Sequence, residues 1–526
     1  MFIGLARFFL YSNNFFKTNM RMSRIVTDLM IFMLLSVSCN SGKEDNVENT
    51  YDSSINLPEL TVYEAPQGVP HNDTFSVYVK YEGGDWIDLY EYDADVDGGH
   101  MKNPVYHMAF VSFDTDFSKK IEVKVKKNDG VMSNVKIRPE SAGIEPVMVD
   151  ANTIRFSLTK PQKLSVEVND DLHNNLMVFA NQREVNPVSE DEPGVHWFGP
   201  GIHKLGDDGK GTLTLKNNER IYIAGGAIVY GNIVGNNVNN VSISGRGILC
   251  GGMYDDHAYP HKTGARLLSF NNSTHVRVEG ITLLNSVTWN VTLTACTDVV
   301  CKDLKIMGWT INSDGINPVF SSNVLIDDCF IRNYDDCISI KLGWAMGAIP
   351  SGTDSRNITV QNCILWTDQG RAIGFGPESY SNKDKVMEDM TIKNIDILYN
   401  QNYDANWARG VISILLGDDI TMRNITFEDI RVDKIGDRAS LFDISIVCTE
   451  YNKTPGKKME NIIFNRVSLK SNPSVNNTIR GYDADRTVSG VSFTDLKING
   501  VYIHDATSGN IRANDFTENI SFKVNN

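Results

Sequence analysis

The sequence predicts an all-β protein, a small β-sandwich followed by a long parallel β-helix, and three observations lead there. Short runs such as Phe75-Ser76-Val77-Tyr78-Val79-Lys80, Ile121-Glu122-Val123-Lys124-Val125-Lys126 and Leu164-Ser165-Val166-Glu167-Val168 alternate apolar and polar residues. A period of two lays the apolar side chains on one face of a sheet. Past residue 190 another pattern takes over: a polar residue, an apolar one, any residue, then a second apolar one. It recurs at Asn240-Val241-Ser242-Ile243, His275-Val276-Arg277-Val278, Asp298-Val299, Asn323-Val324-Leu325-Ile326, Asn357-Ile358-Thr359-Val360, Asp389-Met390-Thr391-Ile392, Asp419-Ile420-Thr421-Met422, Asn461-Ile462-Ile463-Phe464 and Asn519-Ile520-Ser521-Phe522. Up to Asn461 the intervals, roughly 23 to 42 residues, are those of solenoid repeats. Finally, no helical periodicity competes, and 41 glycines with frequent Asn and Asp suit many short strands joined by tight turns.

Each element follows in order. Residues 1–39 read as an export signal: Arg21 and Arg24 precede the apolar run Leu29-Met30-Ile31-Phe32-Met33-Leu34-Leu35, which ends at Ser36-Val37-Ser38-Cys39. That run is too short for a comfortable membrane span. Cys39 after small residues resembles a bacterial lipoprotein cleavage site and is the candidate lipidation residue; ordinary signal cleavage nearby is the other reading. Either way an exported protein is expected, as a periplasmic or cell-surface lipoprotein or secreted, touching a membrane only through a lipid anchor. Residues 40–60, polar and acidic, form a tether. Residues 61–188 form an antiparallel β-sandwich. Residues 189–526 form the β-helix, whose stacked units bury one column of Val, Ile and Leu. A leucine-rich repeat would need leucines at fixed offsets, and they are too few.

The formal net charge of −15 excludes nucleic acid as a partner, because such binding rests on clustered Lys and Arg. Seven cysteines beyond Cys39 lack the paired spacings of a zinc site, so buried free thiols are expected. Asp93-Ala94-Asp95-Val96-Asp97-Gly98 imitates the start of a calcium loop, but its twelfth position is Pro104. Without the bidentate carboxylate no metal is expected, and no cofactor motif appears.

Amid the repeats stand Asn312-Ser313-Asp314-Gly315 and Asn333-Tyr334-Asp335-Asp336-Cys337. The acids are separated by about one short β-helix coil, and coils stack about 4.8 Å apart, so Asp314 can lie beside Asp335 and Asp336. Carboxylates so close cannot all ionise easily, which leaves a protonated acid beside ionised neighbours. Glycoside hydrolysis asks for that division: an acid for the leaving oxygen and a base for water. Asp pairs such as Asp327-Asp328 or Asp418-Asp419 are read instead as turn caps.

These stretches resemble the polygalacturonase clan of glycoside hydrolases, families 28 and 49. Ser244-Gly245-Arg246-Gly247-Ile248-Leu249, Asn285-Ser286 with Trp289, and Phe375-Gly376 match as well, over about residues 190 to 440. The resemblance implies a right-handed helix, inversion of configuration, Asp335 as general acid, and Asp314 and Asp336 as the pair that holds and deprotonates water. A sandwich ahead of the helix is similar to the dextranase and isopullulanase family, number 49. Where polygalacturonases carry Gly-His-Gly and Arg-Ile-Lys, this chain has Gly370-Arg371-Ala372 and no Arg-Ile-Lys. The leading expectation is therefore a monomer acting on a dextran-like α-glucan, with a polygalacturonase-type pectin hydrolase as the alternative. A β-helix polysaccharide lyase and a non-catalytic carbohydrate-binding surface protein are the readings from other classes.

Sugars stack on aromatic rings and are held by a few polar groups. Candidate substrate contacts are Asn312, Lys341, Trp344, Trp366, Arg371, Tyr380 and Arg409; Lys341, Arg371 and Arg409 could recognise an acidic sugar. Trp289 is assigned to packing between coils.

Overall fold

The computed structural model of the protein describes residues 60–525, apart from 98–104, 186, 207–210, 252–265, 287, 344–353, 380–383 and 402–409. The signal segment, Cys39 and nearly all of the tether lie outside the described residues. Two sheets form the N-terminal sandwich. One contains Leu60–Val62, Val105–Thr115, Leu176–Gln182, Gln162–Val168 and Val135–Arg138, with Tyr92–Asp97 along Val105–Thr115; the other contains Ile87–Asp88, Phe75–Tyr81, Ile121–Lys127, Thr153–Leu158 and Val147–Asp150. Alternation explains the layering: Phe75, Val77, Val79, Ile121, Val123 and Val125 all face a dry core shared with Leu164 and Val166. The pairing departs from a purely antiparallel sandwich at one place, because Leu176–Gln182 runs parallel to Val105–Thr115.

From Val195 onward each coil contributes up to three strands that pair in parallel with their equivalents one coil later; near the C-terminal end Val501–Tyr502 departs from this and pairs antiparallel with Lys497–Ile498. The stacked residues are those of the repeat. Val241, Val276, Val299, Val324, Ile358, Met390, Ile425, Ile462 and Val491 follow one another in register and are buried. Phe427, Phe464, Phe493 and Phe522 stack at 4.8, 5.1 and 5.1 Å between ring centroids, the coil spacing itself.

The polar residue that opens each repeat has a backbone reason. Asn240, Asn323, Asn357, Asp389, Asn424 and Asn461 all sit at φ between 53° and 58°, where Asn and Asp are tolerated best among residues with a Cβ. Their side chains also join one coil to the next, Asn357 Nδ2 donating to Asn323 Oδ1 at 3.1 Å and Asn461 Nδ2 to Asn424 Oδ1 at 2.9 Å. The repeat expected at Asp419 is corrected here: Ile425, not Ile420, pairs with Met390. Asn424 therefore opens that coil, and Asp418 and Asp419 belong to the turn before it.

The sandwich docks on the helix through mixed contacts. Tyr92, Phe110 and Phe179 pack against Ile228, Ile248, Leu284, Met307 and Phe330. Arg246 donates to Asp114 at 2.8 Å, and the buried Lys163 pairs with Asp303 and Asp328 at 2.9 and 2.8 Å. Six cysteines, Cys250, Cys296, Cys301, Cys329, Cys337 and Cys363, are buried free thiols, and Cys448 is an exposed one. Ile358 is sealed between Val324 and Met390. Its replacement by Ala should cost about 2–5 kcal/mol, read as a lower urea midpoint in equilibrium unfolding.

Candidate active site

Register brings the acids together. Ile316 pairs with Ile338, and Ile338 with Ile373; Asp314, Asp336 and Arg371 each stand two residues ahead of these partners. Val291 pairs with Ile316, so Trp289 occupies the equivalent place one coil earlier. Trp289, Asp314, Asp336 and Arg371 thus form one column at the turn that enters a row of parallel strands. The coils approach closely here. A Cβ on Gly315 would lie 2.3 Å from the carbonyl oxygen of Cys337, and one on Gly370 would lie 2.3 Å from the carbonyl carbon of Asp335. Only glycine fits at either place.

The carboxylates differ in surroundings. Asp336 is buried and held by Arg371, whose backbone N–H and Nε donate to Oδ1 at 2.9 and 2.8 Å while Nη2 donates to Oδ2. Ser339 adds a hydroxyl donor at 3.0 Å. Burial alone would raise the pKa of Asp336, but the charge and hydrogen bonds of Arg371 outweigh it and hold the carboxyl below its ordinary value. Asp335 is partly exposed and, among the described residues, receives only backbone donors, from Asp336 at 2.9 Å and Asn312 at 3.2 Å. Desolvation, then the neighbouring charge of Asp336, pushes it up to about 6. Asp314 accepts from Asn317 and Lys341, both at 3.2 Å. Its burial, with the charges of Asp335, Asp336 and Glu378, raises it well above the usual range against the pull of Lys341.

Lys341 lies beneath the acids rather than open to a sugar. Its ammonium is 3.2 Å from Asp314, 2.8 Å from Glu378 and 4.1 Å over the Trp289 ring, which Arg266 also approaches at 4.7 Å. Three directions suffice to occupy an ammonium. Arg371 is committed in the same way to Asp336 and, through Nη1, to the carbonyl of Gly376 at 3.3 Å. Asn312 is exposed beside Asp335.

Trp366 is corrected: it is fully buried at the junction of sandwich and helix, not on a sugar-facing surface. Arg332 stacks over its ring at 4.2 Å and Arg138 at 5.3 Å, and its Nε1 donates to Asp368 at 3.0 Å. A strand position whose side chain faces the docked sandwich explains this. Trp344, Tyr380 and Arg409 lie outside the described residues. Sequence reasoning missed Glu378. The signal was its place after Phe375-Gly376-Pro377, where a cis peptide bond between Gly376 and Pro377 turns the chain from the strand Ile373–Phe375.

A parallel β-helix with clustered carboxylates at the mouth of one strand row defines the class. The chain belongs to the glycosyl hydrolases family 28, whose family model matches residues 210–515. Residues 49–189 match the family 49 N-terminal Ig-like domain of glycosyl hydrolases. A "Probable polygalacturonase" of Vitis vinifera is 30% identical over 159 residues, 28% of this chain and 31% of that one. A "Probable rhamnogalacturonase A" of Aspergillus oryzae is 25% identical over 227 residues, 40% of this chain and 47% of that one. The chain thus spans about a third to a half of the length of these relatives. Dex49A from Penicillium minioluteum shares the fold with a TM-score of 0.60 and 16% identity, over 88% of this chain and 96% of that one.

The raised Asp335 carries a stability consequence whose sign is fixed. Its folded value, about 6, exceeds the unfolded value of about 3.9, so ionisation costs the folded state nothing below pH 4 and increasingly more as pH rises to 6. Asp335→Asn removes the ionisable group, although its single amide oxygen accepts from only one of the two backbone donors; its melting temperature relative to the parent should therefore be higher at pH 7 than at pH 4, as measured by calorimetry.

Proposed function

We propose that this chain hydrolyses glycosidic bonds of a polysaccharide with inversion, Asp335 acting as acid and Asp336 as base. The observation that carries the reading is that two adjacent carboxyls are driven in opposite directions, Asp335 up by burial and Asp336 down by Arg371. Below about pH 6 the pair holds one transferable proton and one ionised acceptor. Asp335 gives its proton to the glycosidic oxygen as the bond to the anomeric carbon breaks. Water, held between Asp336 and Asp314, attacks from the opposite face, and its proton passes to Asp336. Lys341 offsets the negative charge that Asp314, Asp336 and Glu378 concentrate beneath the sugar.

For the substrate, a neutral glycan of the dextran type is supported by the commitment of the two nearest basic groups: Lys341 is bound by Asp314 and Glu378, and Arg371 by Asp336. A pectin backbone is the second reading, favoured by the names of the curated relatives. Export, with lipidation of Cys39, is supported by the basic and apolar order of residues 21–39.

Reducing ends released from dextran but not from polygalacturonate would support the first reading, and the reverse result the second. Asp335→Asn should lose nearly all turnover while remaining folded by circular dichroism; activity within about tenfold of the parent would remove its acid role, since a positioned acid contributes about 10²–10⁴-fold. Fresh product followed by proton NMR should show the inverted anomer. Turnover should also fall as pH rises through about 6, because the acid then loses the proton it donates.

A further inference from the structure

The Asp93-Ala94-Asp95 stretch, dismissed above as a calcium loop, has a different partner in three dimensions. It lies on the strand Tyr92–Asp97, whose neighbour Val105–Thr115 sets His107 opposite Asp95. One carboxylate oxygen from each of Asp93 and Asp95 and a ring nitrogen of His107 lie within 4.8 Å of one another. His107 Nδ1 stands 2.8 Å from Asp93 and 3.3 Å from Asp95. A ring nitrogen carries one proton, so it satisfies one of these carboxylates at a time.

The second observation comes from the β-helix. Asn285 is 6% exposed and aims its amide at the cluster, with Nδ2 3.3 Å from Asp95 Oδ2, while its Oδ1 is buried without a hydrogen-bond partner among the described residues. Leaving such an acceptor unpaired is unfavourable, because its desolvation goes uncompensated. The two ends of an amide exchange by rotation about its last torsion. Turned over, the orphaned oxygen faces Asp95, a repulsive contact unless a cation stands between them.

We propose that Asp93, Asp95, His107 and Asn285 Oδ1 bind one divalent transition cation, of the Mn²⁺ or Zn²⁺ kind, that fastens the sandwich to the coil carrying Asn285. Carboxylates with an imidazole suit these ions, whereas calcium asks for six to eight oxygens. Asn72 donates to Asp93 Oδ1 at 2.7 Å and fixes that ligand from behind.

The test is Mn²⁺ binding to the full chain after chelator treatment, followed by calorimetric titration and by electron spin echo spectroscopy. One Mn²⁺ per chain, with imidazole nitrogen modulation and a raised melting temperature, is expected. The partly exposed His107→Ala should fold, lose the nitrogen modulation and bind at least about tenfold more weakly. Asn285→Asp should lower the melting temperature of the metal-free protein yet bind Mn²⁺ more tightly, which a mere hydrogen-bond role for Asn285 does not predict. No saturable binding of Mn²⁺ or Zn²⁺ at millimolar concentration, binding of calcium alone, or affinity unchanged in His107→Ala would each overturn the assignment.

Discussion

Parallel pairing of each strand with its equivalent one coil later is the constraint from which the rest follows. Strands in hydrogen-bonding register stand about 4.8 Å apart, so a residue is fixed beside another some twenty or more positions away. The fit is unforgiving in one direction and free in the other. A slip of one residue would turn the buried Val324 and Ile358 outward, whereas the turns between strands accept different lengths, from the short link before Ile338 to the longer ones further along. Chemistry is therefore concentrated at turn ends, where the backbone position is fixed and the side chain is not needed for the core.

The same stacking creates an electrostatic problem that the site resolves unevenly. Asp314 and Asp336 fall on successive rungs because their strands do, and the next rung supplies Arg371 to one of them. Lys341 answers the other, shared with Glu378. Asp335, adjacent in sequence but partly exposed, is left with backbone donors alone among the described residues. Two neighbouring acids of identical chemistry thus acquire different proton affinities from position in the coil. The buried junction with the sandwich follows similar logic, with Arg332 reaching Asn175 at 2.6 Å and Lys163 reaching two aspartates across the domain boundary.

Much of this was legible in the residues. Alternation in the sandwich and the recurrent polar-apolar unit of the helix are direct records of burial, and the spacing of Asp314 from Asp335 and Asp336 records one coil. What was not legible depends on partners distant in sequence. Asp419 satisfied the repeat pattern as well as Asn424 does, and only pairing with Met390 chooses between them. Trp366 had the composition of a sugar platform, but its side is covered by Arg138, a residue of the other domain. Asp93 and Asp95 read as a failed loop motif, because His107 comes from the neighbouring strand and Asn285 from the helix.

On the proposed function, the shared lysine has a practical corollary for trapping a bound oligosaccharide with an inactive protein. Neutralising Asp314 would leave Lys341, enclosed at the floor of the site, with Glu378 as its remaining carboxylate contact within 4 Å among the described residues, and the surrounding side chains would have to rearrange around the surplus charge. Neutralising Asp335 removes a carboxyl to which no lysine or arginine is bonded among the described residues, so the contacts of Lys341 with Asp314 and Glu378 stay in place.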